Sequence, residues 1–170
     1  NYTHDSLYEL PVKPSPNLPN MRSIYLYPSL CFFEGTVVSV GRGTDFPFQV
    51  FGHPDMKNAE MEFTPRSVPG ASMNPKFKGQ LCQGVDLRDY PLDSLVQVPH
   101  IRLNWVKFAY NNIRVEDFFT SYFKKLSGTE ELLKQLKAGK SIAEIRKGWK
   151  KELEQFMNKR EQYLIYKDFT

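Results

Sequence analysis

The sequence predicts an α+β fold, with a strand-rich first half broken by Pro/Gly loops and a helical second half ending in a long amphipathic helix. Three observations carry this. Before residue 90, β-branched and aromatic residues gather in short runs separated by Pro and Gly. From His100 onward, apolar residues recur at helical spacing. Ser141 and Glu144 form the capping pattern S-x-x-E at the head of the longest such run.

Each element follows from local chemistry. Residues 1–23 carry Pro11, Pro14, Pro16 and Pro19, so the stretch is predicted extended, a connector rather than a helix. Residues 24–170 are predicted to form a single α+β domain. Ile24–Tyr27 reads as a short strand or buried turn. Pro28 suits the first position of a helix carrying S-L-C-F-F-E and stopping at Gly35. Val37, Val38 and Val40 favour a strand or extended loop. Phe48–Phe51 alternates like a strand, and Met61–Thr64 and Gln80–Leu87 are further strands. Turns fall at His53-Pro54, Val68-Pro69-Gly70 and Asn74-Pro75, and Pro91–Pro99 is a break.

Ile101, Trp105, Phe108 and Ala109 then share a helical face, with Pro99 a suitable first residue. Val115–Leu126 is predicted helical, ending at Gly128. Glu130–Ala138 is a short helix closed by Gly139. The last helix shows the apolar stripe Ile142, Ile145, Trp149, Leu153 and Phe156. Tyr163–Tyr166 reads as a terminal strand or an added turn.

Bulk properties narrow the function. The 170 residues are 41% hydrophobic and 25% charged, within the range of one ordinary domain with a core. The net charge is +4, but Lys and Glu alternate along the late helices as on a solvated face. No concentrated basic stripe or nucleic-acid module is present. No apolar run approaches the ~18 residues of a membrane span. Cys31 and Cys82 are too few for a disulfide scaffold and are read as free buried thiols, with pairing left to the fold. The chain begins at Asn1 and reads as part of a longer one.

Several motifs fail on spacing. Gly41-Arg42-Gly43 opens G-x-G-x-x-G, but position 46 is Phe. Gly139-Lys140-Ser141 lacks the P-loop glycine, because Lys134 stands there. His4, His53 and His100 are scattered, so neither a metal nor a cofactor is expected.

What remains is the segment Glu34–Phe48, E-G-T-V-V-S-V-G-R-G-T-D-F-P-F, directly after the apolar C-F-F. A carboxylate and a guanidinium beside an apolar layer need partners. Two readings stand. Glu34 and Arg42 pair and hold the loop, or they face a cleft. In the second reading Arg42 offers a planar fork suited to a carboxylate. Gly41 and Gly43 beside it let a ligand approach the backbone, Thr36, Ser39 and Thr44 supply hydroxyls, and Gly35 is counted in the same substrate-binding set. Phe46 and Phe48 read as core before sugar platforms. No carboxylate pair for glycoside hydrolysis emerges from the residues.

The motifs P-S-P-N-L-P (Pro14–Pro19), L-Y-P-S-L-C-F-F-E-G-T (Leu26–Thr36) and V-S-V-G-R-G-T-D-F-P-F (Val38–Phe48) resemble the signature of the NamZ-type exo-β-N-acetylmuramidases. K-G-Q-L-C-Q-G-V (Lys78–Val85), L-S-G-T (Leu126–Thr129), W-K-K-E-L-E-Q-F and R-E-Q-Y-L-I-Y fit as well. The resemblance spans nearly the whole chain. It implies the C-terminal part of a two-domain, periplasmic or secreted bacterial glycoside hydrolase that releases N-acetylmuramic acid from non-reducing ends of peptidoglycan fragments. It implies an N-terminal Rossmann-like partner domain, a cleft between the domains and a general acid upstream of this chain, so no catalytic residue is expected here. The implied ligand is a peptidoglycan-derived muramic acid saccharide. Arg42 is then expected to hold its lactyl carboxylate, backbone N–H groups near Gly41 and Gly43 to help, and Glu34 to orient Arg42 or a sugar hydroxyl.

Overall fold

The computed structural model describes residues 7–97 and 100–166. They divide into two compact units. One is Tyr8–Glu130; the other is formed by the residues from 131 onward together with Leu7. The architecture is α+β, as predicted: three strands lie in the first half and most helices in the second.

In the first unit, α1 spans Met21–Leu30 and opens on a capping box. The Asn20 side chain accepts from the Ser23 amide at 2.9 Å, and the Ser23 hydroxyl oxygen accepts from the Asn20 amide at 3.4 Å. This double cap starts the helix seven residues before Pro28, which lies inside it instead of opening it. Ile24–Tyr27 is therefore helical, and so are the last three residues of the Pro-rich stretch. Proline lacks the N–H that would bond four residues back. The chain soon tightens into a 3-10 helix, Cys31–Gly35.

Strands β1 (Val50–His53), β2 (Met61–Phe63) and β3 (Cys82–Asp86) form an antiparallel sheet in the order β1-β3-β2. Phe51 pairs with Val85, and Phe63 with Cys82. The predicted strand at Phe48–Phe51 begins two residues late, because Phe48 adopts a left-handed backbone at φ 55°. Val50, Phe63 and Cys82 are buried with Phe46, Met61 and Phe77 against them. Phe33 stacks on Phe51 at 4.7 Å, which ties the 3-10 helix to the sheet.

Helix α2 (Leu92–Gln97) occupies part of the expected Pro91–Pro99 break. The Arg102 guanidinium binds the Ser94 carbonyl within it. α3 spans Leu103–Asn112 and buries Leu103, Trp105, Val106 and Ala109. Pro99, the expected first residue of that helix, lies outside the described residues. The predicted helix Val115–Leu126 shrinks to α4, Phe123–Ser127, which still ends at Gly128. The reason is pairing. Val37 donates to the Phe118 carbonyl at 3.0 Å, and Thr120 donates to the Gly35 carbonyl at 2.9 Å. That leaves residues 118–120 extended.

In the second unit, α5 is Glu131–Lys137 and α6 is Ile142–Glu161. Ser141 and Glu144 cap α6 reciprocally, as the sequence predicts. Ile145 is buried, but Leu153 is 54% and Phe156 58% exposed, so the stripe is covered only in its first turns. Residues 163–166 form turns, not a strand. Among the described residues, no helix is long and apolar enough to cross a membrane.

Candidate functional site

The wall of the site is the chain from the 3-10 helix to β1. Phe32 and Phe33 are buried, which leaves Glu34 half-buried between them and Gly35. Thr36 turns the chain. Its hydroxyl donates to the Phe33 carbonyl at 2.9 Å and accepts from the Val38 amide at 3.1 Å. Ser39 and Gly52 exchange backbone bonds of 2.8 and 2.9 Å, so this stretch runs as a partner to β1. The Thr44 amide and hydroxyl both donate to the Gly41 carbonyl. The glycines answer close approaches of protein. A Cβ on Gly35 would lie 2.5 Å from the Phe123 Cα, and one on Gly43 2.5 Å from the Arg66 carbonyl oxygen.

A cavity of about 220 Å³ opens on this wall. Glu34, Val38, Ser39, Val40 and Arg42 line it, with Ser72, Asn74, Pro75 and Lys76 from a later turn. Arg42 Nη2 donates to Glu34 Oε1 at 2.7 Å. Their side chains are 40% and 24% exposed, so the ion pair is reachable from solvent. It engages one of the five N–H donors of a guanidinium. Arg42 Nε is buried without an acceptor in the protein. The guanidinium carbon stands 5.3 Å from the centre of the Phe48 ring, a cation–π distance. Phe48 in turn meets Tyr27 edge-on at 5.0 Å. Its left-handed backbone is strained for a residue with a Cβ, and that strain aims the ring under Arg42.

Lys76 is exposed as a residue, yet its ammonium turns onto three carbonyls. These are Phe33 at 3.2 Å, Thr36 at 2.5 Å and Val38 at 3.1 Å. Loss of water pulls its pKa down to about 8, Glu34 opposes that shift and Arg42 adds to it. Burial, and then the Glu34 carboxylate, pushes the Tyr27 phenol and the Cys31 thiol up. Cys31 is thus a poor nucleophile. Cys82, fully buried, is pushed up to about 12 by burial. Both cysteines are free, Cys31 half-buried. Among the described residues, no group of three His, Cys, Asp or Glu side chains could hold a metal. Glu34 is the one carboxylate among the lining residues, where glycoside hydrolysis takes two.

This chain is similar to proteins already described. The family described as Exo-beta-N-acetylmuramidase NamZ, C-terminal, matches residues 25–166. The chain belongs to that family. The peptidoglycan beta-N-acetylmuramidase NamZ of Bacillus subtilis is 37% identical over 168 residues, covering 91% of this chain. The match takes in 40% of the Bacillus protein, so the chain spans less than half the length of that relative. A solved DUF1343 family protein of Bacteroides fragilis is 48% identical, with a TM-score of 0.92. That likeness covers 99% of this chain and 48% of the other. A second such protein from the same organism, at 20% identity and TM-score 0.63, shares the fold. As a NamZ C-terminal region, the chain is one part of a glycoside hydrolase family.

Of the residues named from the sequence, Glu34, Ser39 and Arg42 come together at the cavity. Gly35, Thr36 and Gly41 are buried in the wall. Gly43 and Thr44 line a different, smaller cavity with Asn17 and Asp45. Sequence reasoning missed Ser72, Asn74 and Lys76. Asn74-Pro75 registers only as a turn, and the one available signal was the lysine directly behind it.

Proposed function

We propose that this chain supplies the substrate-binding wall of a peptidoglycan-recycling exo-β-N-acetylmuramidase, with a preceding Rossmann-like domain supplying the other wall and the general acid. The observation that carries this is the Glu34–Arg42–Lys76 cavity in a chain of the NamZ family. One carboxylate and two cations leave it net positive, which suits the lactyl carboxylate of N-acetylmuramic acid. Arg42 holds that carboxylate through its free donors while Glu34 fixes the guanidinium plane. Ser39 and Asn74 lie within the same cavity and offer polar groups for sugar hydroxyls. The setting is a periplasmic or secreted one, where peptidoglycan fragments occur.

The lone carboxylate favours a second reading, a non-catalytic peptidoglycan-binding module. Release of N-acetylmuramic acid from a chromogenic muramide separates the two, assayed with this chain alone and joined to the upstream domain. Turnover only in the joined protein supports the first reading. Binding without turnover in either leaves the second. Calorimetric titration with N-acetylmuramic acid and N-acetylglucosamine tests the carboxylate contact. Equal affinity for the two sugars would overturn it.

A further inference from the structure

Arg42 alone does not explain an anion site, because Glu34 cancels its charge at 2.7 Å. The remaining cation on the cavity is Lys76. An ammonium has three N–H donors, and three carbonyls of the Phe33–Val38 bend take them. Lys76 therefore has no donor left for a ligand. It acts through position and through field.

We propose that Lys76 is the positioning residue of this cavity: its ammonium gathers the Phe33–Val38 bend that carries Glu34, and it supplies the one uncancelled positive charge, so anion preference follows the Lys76 proton. This rests on the reading of the ligand as an anionic sugar. The carbonyls of Phe33, Thr36 and Val38 point toward one centre, an arrangement that a cation holds and a neutral amine, with one donor fewer, does not. The charged groups facing the ammonium are Glu34 from the 3-10 helix and Arg42 from the segment after it. The other titratable groups near Glu34 are Tyr27 and Cys31, both raised above their ordinary values of 10.0 and 9.0. Lys76, at about 8, gives up its proton before either.

The test compares N-acetylmuramic acid with N-acetylglucosamine, which lacks the lactyl carboxylate, by calorimetry from about pH 6 to about pH 9.5. In the wild type the preference for the acid falls about tenfold through pH 8, the size expected of one unit charge at a part-exposed site. Lys76→Arg keeps its charge, so its preference stays flat over that range. Lys76→Met shows at every pH only the reduced preference that the wild type keeps above pH 8, the part that Arg42 supplies. A wild-type preference unchanged across pH 8 overturns the assignment, as does a Lys76→Met protein that folds and favours the acid at about pH 6 as strongly as the wild type does.

A ligand-free measurement keeps the two readings apart. The Thr36 and Val38 amide signals in NMR spectra move with a midpoint near pH 8 in the wild type and stay flat in Lys76→Arg. If neither sugar binds the wild type, the muramic acid reading falls, and this titration alone decides the role of Lys76. Flat Thr36 and Val38 signals in the wild type would remove it.

Discussion

The Glu34–Phe48 wall and helix α6 are held by opposite means. α6 is set by neighbours in sequence. Ser141 and Glu144 close its first turn, and Lys159 and Arg160 sit in its last turn, where the helix dipole favours cations. The wall is set by residues far along the chain. Gly52 pairs with Ser39, Phe118 with Val37, Thr120 with Gly35, and the Arg66 amide reaches the Gly43 carbonyl at 2.8 Å. A capped helix loses one partner when one residue changes. A wall made of remote contacts loses several together, and the cavity with them. The proposed binding residues sit on the second kind of structure, where many distant contacts fix a few side chains.

The largest effect should come from blocking a close approach in the wall. In Gly35→Ala the new Cβ meets the Phe123 Cα at 2.5 Å and its amide nitrogen at 2.6 Å. Both are backbone atoms of α4, so no side chain can swing aside. The expected loss is about 3 kcal/mol, read as a lower urea midpoint. Gly43→Ala should be comparable, since φ is +84° and the Arg66 carbonyl and Pro75 ring both crowd the position. An unchanged midpoint in both variants would break the contrast between wall and helix.

Next is a change that removes binding and spares folding. Arg42→Ala takes away a charged donor set but only one part-exposed ion pair. Affinity for N-acetylmuramic acid should fall by about 2 kcal/mol, roughly thirtyfold. Stability should shift by less than about 1 kcal/mol. Calorimetry and a urea titration on the same protein check both halves. Comparable losses in the two would reduce Arg42 to a structural residue.

The same contrast explains what the sequence disclosed. α5, α6, β2 and β3 were legible because caps, turn residues and periodicity lie within each element. α1 was misread because Pro28 looked like a start, while the deciding signal was the Asn20–Ser23 cap. Residues 118–120 were misread as helix because their pairing partners lie about residues 35–37. Glu34 and Arg42 were legible as a pair, eight residues apart in one bent segment. Lys76 was not, since its three acceptors lie 38 to 43 residues earlier. No local pattern encodes a contact of that range.

Smaller effects probe the helix and the sheet. Ser141→Ala removes the α6 cap and should cost about 1 kcal/mol, seen as a lower midpoint in a circular dichroism melt. His53 tests the sheet by pH. It is buried at the end of β1, and the Asp55 amide donates to its Nδ1 at 3.0 Å, which needs a neutral ring. Burial holds its pKa below the usual 6.5, and Asp55 partly opposes that. The unfolded chain therefore takes the proton first on acidification. This contribution is complete above the unfolded value near 6.5 and is lost as pH falls through the lower folded value. His53→Gln should flatten the stability slope between about pH 7 and about pH 5. An unaltered slope would place the acid sensitivity elsewhere.

The smallest effect should come from the far half of α6. Leu153 and Phe156 continue the apolar stripe of Ile142 and Ile145, and by periodicity alone they belong to a core. Their exposures of 54% and 58% show that folding of this chain withdraws less than half of their surface from water. Hydrophobic stabilisation scales with area buried, so replacing them removes little of it. Leu153→Gln and Phe156→Gln should each move the urea midpoint by the equivalent of less than about 0.5 kcal/mol. Glutamine keeps helix propensity close to that of leucine, so the measurement reads burial alone at Leu153. A loss above about 2 kcal/mol at either position would mean that the stripe is covered in solution, and that α6 depends on remote contacts as the wall does.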